Sequence, residues 1–255
     1  MKNLTLRKNI PTLDFKKSKL SRKDINTINK FKSLVINNGD DGLREISKIL
    51  KEKSLNSFKV TKSEFKKADQ LLNDDIKNAI LIAYANIKKY HEKQLEGLSI
   101  KNIETTKGVK LWSEFKPIDV VGLYIPGGTA PLFSSLLMQA IPAIIAGCNN
   151  IVVCTPPNNS GNIDPAILWV ASLLNIKNSY KVGGSQAIFA MAYGTKSIPQ
   201  CFNIFGPAKH DVHAAQILIN KAVYIDMTSG PRDVSGEATA HHYRYLISYT
   251  LLSHL

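Results

Sequence analysis

Residues 122–128 read GLYIPGG, residues 182–187 read VGGSQA and residues 204–207 read IFGP, so three short apolar runs each end in glycine or in a glycine-proline pair. Glycine has no Cβ, and a backbone stripped of side chains lets amides and helix N-termini approach an anion closely. Pro156-Pro157 and Gly230-Pro231 end two further runs in the same way, which makes five such turns with Gly127-Gly128, Gly183-Gly184 and Gly206-Pro207. Any single pair is explained as well by a tight corner. Five at corresponding places point to one shared ligand crevice. The strict GxGxxG dinucleotide fingerprint is absent, so the usual form of that motif is not claimed.

The titratable side chains offer less. His210 and His213 stand three apart in a segment with helical character, and His241-His242 are adjacent, so each pair supplies at most two metal ligands. Catalytic zinc typically takes three protein ligands and keeps one open position. No catalytic residue and no metal ligand is therefore assigned. Asp226 ends an apolar run and could act as a base, but an aspartate there more often caps the following turn. His91 and Cys154 are read as structural. Cys148 and Cys154 bracket an extended run that holds them beyond the reach of about 7 Å for a disulfide, and Cys201 has no evident mate.

Chain patterning says which elements must position these residues. Through residue 116 the apolar residues recur at helical spacing. An acid lies three residues after Ser21, NNGDDG interrupts the pattern, and Leu43, Ile46, Ile49 and Leu50 resume it. TKSE at 61–64 reads as a capping box, and Ile76, Ile80, Ala83, Ile87 and Tyr90 predict a long amphipathic helix after Asn73. A small β element is predicted at Leu111–Phe115. From Val120 onward the order becomes strand, Gly/Pro turn, helix: VVGLYI before 131–146, IVVCT before Pro165–Leu174, SYKV before Ser185–Tyr193, CFNIF before a helix near 210–221, then AVYIDM. Continuous apolar strands alternating with helices predict a parallel sheet covered on both faces. The predicted fold class is α/β, with a mainly helical segment over 1–116 packed on a Rossmann-like domain over 117–255. In such a sheet all strands end at one edge, which collects the five turns.

The chain has 255 residues, 44% of them apolar, enough for a substantial core. Its net charge of +13 is concentrated in residues 1–116, which carry 26 Lys+Arg and 14 Asp+Glu against 7 and 6 in the remainder. That excess is almost all lysine spread among acids on helical faces, with few interleaved aromatics, so no nucleic acid is expected as a partner. The N-terminus lacks the apolar centre of a signal peptide and no long apolar run exists; no membrane association and a cytoplasmic location are expected.

VGLYIPGGTAPLFSSLLMQAIPAIIAGC, VGGSQAIFAMAYGT and IFGP together resemble histidinol dehydrogenase, with NNGDDGLREIS fitting the same family upstream; the resemblance spans roughly residues 25–231. It implies an aldehyde/histidinol dehydrogenase-like α/β fold and a zinc- and NAD-dependent oxidation of L-histidinol through histidinal to L-histidine. It also implies an intertwined homodimer. Tyr124 and Gln186 match the family's tyrosine and glutamine that contact NAD, and these two are the expected cofactor-binding residues.

Other family positions differ. The family's Gly-Pro-Gly-Asn reads Gly206-Pro207-Ala208-Lys209, which loses an amide contact to the cofactor, and its Gly-Pro-Ser-Glu reads Gly230-Pro231-Arg232-Asp233. His254, after Leu251-Leu252-Ser253, falls where a zinc-binding glutamine would stand. The other zinc ligands, the Glu-His proton-transfer pair and the family's second catalytic half would lie beyond Leu255. The expectation is therefore weak NAD binding, no zinc site and no turnover by this chain. The alternative is a non-catalytic remnant or partner-binding protein of that family. YRYLISYTLL at 243–252 should expose an apolar face and promote self-association.

Overall fold

The computed structural model describes residues 22–96, 102–112, 115–127, 132–207, 210–219 and 223–225. Helices α1 (Arg22–Ile49), α2 (Lys62–Leu71) and α3 (Asp74–Glu96) lead into a two-stranded ribbon, β1 (Ile103–Thr106) and β2 (Val109–Leu111). A strand and helix alternation follows: β3 (Val120–Tyr124), α4 (Phe133–Ile145), β4 (Asn150–Thr155), α5 (Pro165–Leu173), β5 (Asn178–Lys181), α6 (Gly184–Tyr193), β6 (Asn203–Phe205), α7 (His210–Ile219) and β7 (Tyr224–Ile225).

The five later strands form one wholly parallel sheet in the order β5-β4-β3-β6-β7. Counted from β3 this is the doubly wound order 3-2-1-4-5, with the strand order reversing between β3 and β6. The α/β class predicted from the alternation is the one observed. The inner strands are mostly apolar because both faces are covered. Val121, Leu123, Ile151 and Val153 point into a core formed with α2 to α5, whereas Tyr124, Val152, Cys154 and Ile204 point into a second core formed with α1, α6 and α7. This division follows from the period-two alternation of side chains along a strand.

The N-terminal helices are shared between the two faces. α1 packs on α6 and α7, α2 packs on α5, and α3 packs on α4. The interruption at NNGDDG is an elbow within α1, where Gly39 adopts φ 53° and ψ −122°, and a Cβ on Gly42 would overlap the Leu34 carbonyl across the bend. Asp40 ties this elbow to the loop after α6, accepting from the Ser197 hydroxyl at 2.5 Å and from the Ser197 N–H at 3.2 Å. The capping box at α2 is present, with Glu64 N–H donating to Thr61 Oγ1 at 3.3 Å and Thr61 N–H donating to Glu64 Oε2 at 2.8 Å. Residues 58–60 extend the β5 edge in antiparallel fashion, through Val60 N–H to Ser179 O at 2.9 Å and Lys181 N–H to Phe58 O at 2.7 Å.

The small β element differs from its prediction. It lies at 103–111, and among the described residues of the stretch around Leu111–Phe115 Leu111 is in a strand while Trp112 and Phe115 are not. The reversal is made by Lys107-Gly108, where Gly108 takes the left-handed φ of 89° and donates its N–H to Glu104 Oε1 at 2.8 Å. That local turn chemistry outweighs the apolar run that follows it. α7 is described to Ile219 of the helix predicted near 210–221, and 220–222 lie outside the described residues.

Candidate functional site

β3 delivers Tyr124 to the carboxyl edge of the sheet, beside the end of β6. Being an even-numbered residue of this strand, Tyr124 faces α6 rather than α4. Gly122 lies on the same face, two residues earlier. A Cβ there would stand 3.0 Å from Met191 Sδ and 3.1 Å from Cys201 Sγ, so its absence lets α6 lie close against β3. The Tyr124 ring is buried, and its Oη accepts a hydrogen bond from Gly184 N–H at 3.1 Å.

Burial pushes the Tyr124 phenol up to about 12; the Gly184 bond opposes the rise and the nearby acidic groups, Asp211 first among them, add to it. The group is therefore a neutral phenol at ordinary pH, with its own O–H proton available to donate. Gln186 lies two residues into the same helix and is buried. Its amide covers Gly184 so closely that a Cβ on that glycine would stand 2.7 Å from Gln186 Oε1. The two residues expected from sequence to bind cofactor thus converge on Gly184, at the start of α6.

Pro156, which follows β4, was not singled out by sequence as more than a turn residue. A Cβ on Gly127 would stand 2.6 Å from its Cγ, and one on Gly183 would overlap its Cβ, so a single proline ring fills the space that both glycines leave. At the switch between β3 and β6, a Cβ on Gly206 would overlap the Tyr124 carbonyl oxygen. Four of the five turns therefore lie together along one edge. Gly128 and the fifth turn, Gly230-Pro231, lie outside the described residues. α6 has Gly183 at its N-cap position with no side chain of its own segment capping it, the feature by which the crevice suits the pyrophosphate of a dinucleotide.

The remaining candidates separate into three groups. Ala208, Lys209, Asp226, Arg232, Asp233, His241, His242, His254 and the YRYLISYTLL segment lie outside the described residues, as does the side chain of His210. His213 is half-buried on α7. His91 is buried, its Nδ1 sharing a hydrogen bond with Gln94 Oε1 at 2.7 Å and its ring meeting Tyr90 edge-on at 5.2 Å. Cys148, Cys154 and Cys201 are all buried free thiols, each pushed up by burial, with Cys201 adding to the rise at Cys154. Such thiols are poor nucleophiles and poor ligands. Among the described residues, no three His, Cys, Asp or Glu side chains come close enough together to hold a metal ion. The described residues therefore do not fit zinc, and no chemical step is derived through it here.

A doubly wound parallel sheet with glycines at its carboxyl edge defines an open α/β protein, a class that generally takes ligands at that edge. The sequence profile of histidinol dehydrogenase matches residues 16–254, wider at both ends than the motifs alone indicate. Histidinol dehydrogenase of Bacteroides thetaiotaomicron is 45% identical over 216 residues, covering 84% of this chain and 50% of that protein. That of Pasteurella multocida is 42% identical over 208 residues, covering 81% and 47%. The crystal structure of histidinol dehydrogenase from Elizabethkingia anophelis matches with a TM-score of 0.79 at 43% identity, over 84% of this chain and 49% of that one. The chain belongs to the histidinol dehydrogenase family. It spans about half the length of the curated relatives it matches.

Proposed function

We propose that this chain binds NAD at the carboxyl edge of the sheet, where β3 meets the start of α6, and belongs to the oxidation of L-histidinol to L-histidine in histidine biosynthesis, in the cytoplasm. The observation that carries the reading is the convergence of Tyr124 and Gln186 on Gly184 at the start of α6. When bound, NAD would supply a two-electron hydride acceptor. The chain's own part is to bind and orient. The helix start offers backbone amides to the pyrophosphate, Tyr124 donates its phenolic proton, and Gln186 offers an amide that both donates and accepts.

Affinity should be weak, because Ala208-Lys209 replaces the glycine and asparagine of the family pattern and each lost polar contact is worth roughly 0.5–1.5 kcal/mol. Calorimetry on the 255-residue chain should detect NAD binding that weakens in Tyr124→Phe and Gln186→Ala. No heat at about millimolar NAD from protein shown to be folded would remove the cofactor-binding reading.

We further infer that this 255-residue chain does not turn over histidinol by itself, even with zinc added. The inference draws on the described residues' lack of a three-ligand metal group and on Arg232 standing where the family has a serine. NADH absorbance with histidinol, zinc and NAD should stay flat while a histidinol dehydrogenase of the relatives' full length gives a signal. Zinc-dependent NADH formation that disappears in Tyr124→Phe would overturn it. A second reading, a non-catalytic chain that binds a protein partner or its own copy, is favoured by exposed Ile103, Val109, Leu111 and Trp112 on and beside the β1–β2 ribbon. Sedimentation would separate a homodimer from a monomer.

A further inference from the structure

Gly184 is the residue that both cofactor-contacting side chains touch. Its N–H donates to Tyr124 Oη at 3.1 Å, from a strand sixty residues earlier. Its φ of +64° lies in the left-handed region, where a side chain is strained. The position a Cβ would take is 2.7 Å from Gln186 Oε1 and 3.3 Å from both Cδ and Nε2, so the whole Gln186 amide rests against the bare Cα. Gly183 differs. Its backbone is in an ordinary extended region, and the atoms facing its missing Cβ belong to the Pro156 ring and Cα. A group added at Gly183 meets rigid atoms, whereas one added at Gly184 meets the far end of a flexible side chain, which can swing away.

We propose that Gly184 is a positioning residue for nucleotide binding, holding Tyr124 and Gln186 in one register by donating to the first and leaving room for the second. This rests on the reading that Tyr124 and Gln186 hold NAD. Its effect on affinity passes through Gln186. A Cβ at Gly184 displaces the Gln186 amide while the sheet and its helices stay in place, so binding falls more than folding does.

The test uses the full chain with NAD as the probe. Gly184→Ala should raise the Kd for NAD roughly three- to tenfold, about as much as Gln186→Ala, the equivalent of one lost polar contact. The double variant should be no weaker than either single one, because both remove the same contact. Gly184→Asn carries the same Cβ but tolerates the left-handed backbone better, and should weaken NAD similarly with a smaller loss of melting temperature. In the ¹H–¹⁵N spectrum, the Gln186 side-chain NH₂ signals should move in both Gly184 variants. An unchanged Kd, an additive double variant or unmoved Gln186 signals would overturn the proposal. If the wild-type chain itself binds no NAD, the functional reading fails, and the Gln186 signals still decide whether Gly184 places that amide.

Discussion

Helices α5 and α6 both start at the carboxyl edge of the sheet, yet their first turns are built in opposite ways. α5 is closed locally: Asp164 accepts from Ala166 N–H at 2.8 Å, and Pro165 occupies the first turn, where its missing N–H costs nothing. α6 starts at Gly183 with no side-chain cap from its own segment, and Gly184 N–H instead reaches Tyr124 on β3. A locally capped helix start has already used its positive end. At α6 the corresponding bond goes to a phenol sixty residues away, beside glycines that carry no side chain. The two helices, consecutive in the chain and on opposite faces of the sheet, thus differ in how their starts are tied: α5 within its own segment, α6 to a distant strand.

The largest effect that separates these roles should come from Gly183→Ala. Its Cβ would overlap the Pro156 ring and press on the Pro156 Cα, so the backbone of two strand ends must shift. Overpacking of this kind costs about 3 kcal/mol, seen as a lower denaturant midpoint. A midpoint equal to wild type would mean that Pro156 yields freely and that the crevice floor is soft.

Alkaline titration should come next in size. Tyr124 and Tyr180 are both pushed up to about 12 by burial, above the unfolded tyrosine value near 10. Their neutral forms therefore stabilise the fold fully below about pH 10, and that contribution is lost as pH rises through about 12. For mostly buried Tyr124 the loss is on the order of 2 kcal/mol. Melting curves over this window should fall less steeply for Tyr124→Phe than for wild type. Identical slopes would place the phenol in contact with water.

The smallest effects sharpen the contrast most directly. Asp164→Ala should cost about 1 kcal/mol of stability and leave NAD binding unchanged, because it opens a helix start that faces no ligand. Tyr124→Phe should cost a similar amount, about 1 kcal/mol, but weaken NAD as well. Equal NAD affinities in the two variants would erase the distinction between α5 and α6.

Much of this was legible from local pattern. Apolar runs followed by Gly or Pro marked most strands of the parallel sheet, the outer β5 with its Asn178, Ser179 and Lys181 least clearly, and spacing marked the long helices, because burial on both faces leaves inner strands apolar and one-sided packing leaves helices periodic. The ribbon was misplaced because a short exposed hairpin has no burial pattern to read: all of its residues are exposed. Gly108 was its one usable signal. Tyr124 and Gln186 were identified from a family resemblance, and nothing in their immediate neighbours says that they meet.

The sequence by itself determined the α/β class, the order of strands and helices along the chain and the clustering of turns at one sheet edge, since each depends on interactions within a few residues or on the uniform geometry of a parallel sheet. Tertiary structure alone decided that the sheet order reverses between β3 and β6, that Gly122 lets α6 settle against β3, and that Tyr124 reaches Gly184. Those contacts join residues far apart in the chain, and their distances depend on how two packed layers fit together, a quantity that no local run of residues carries.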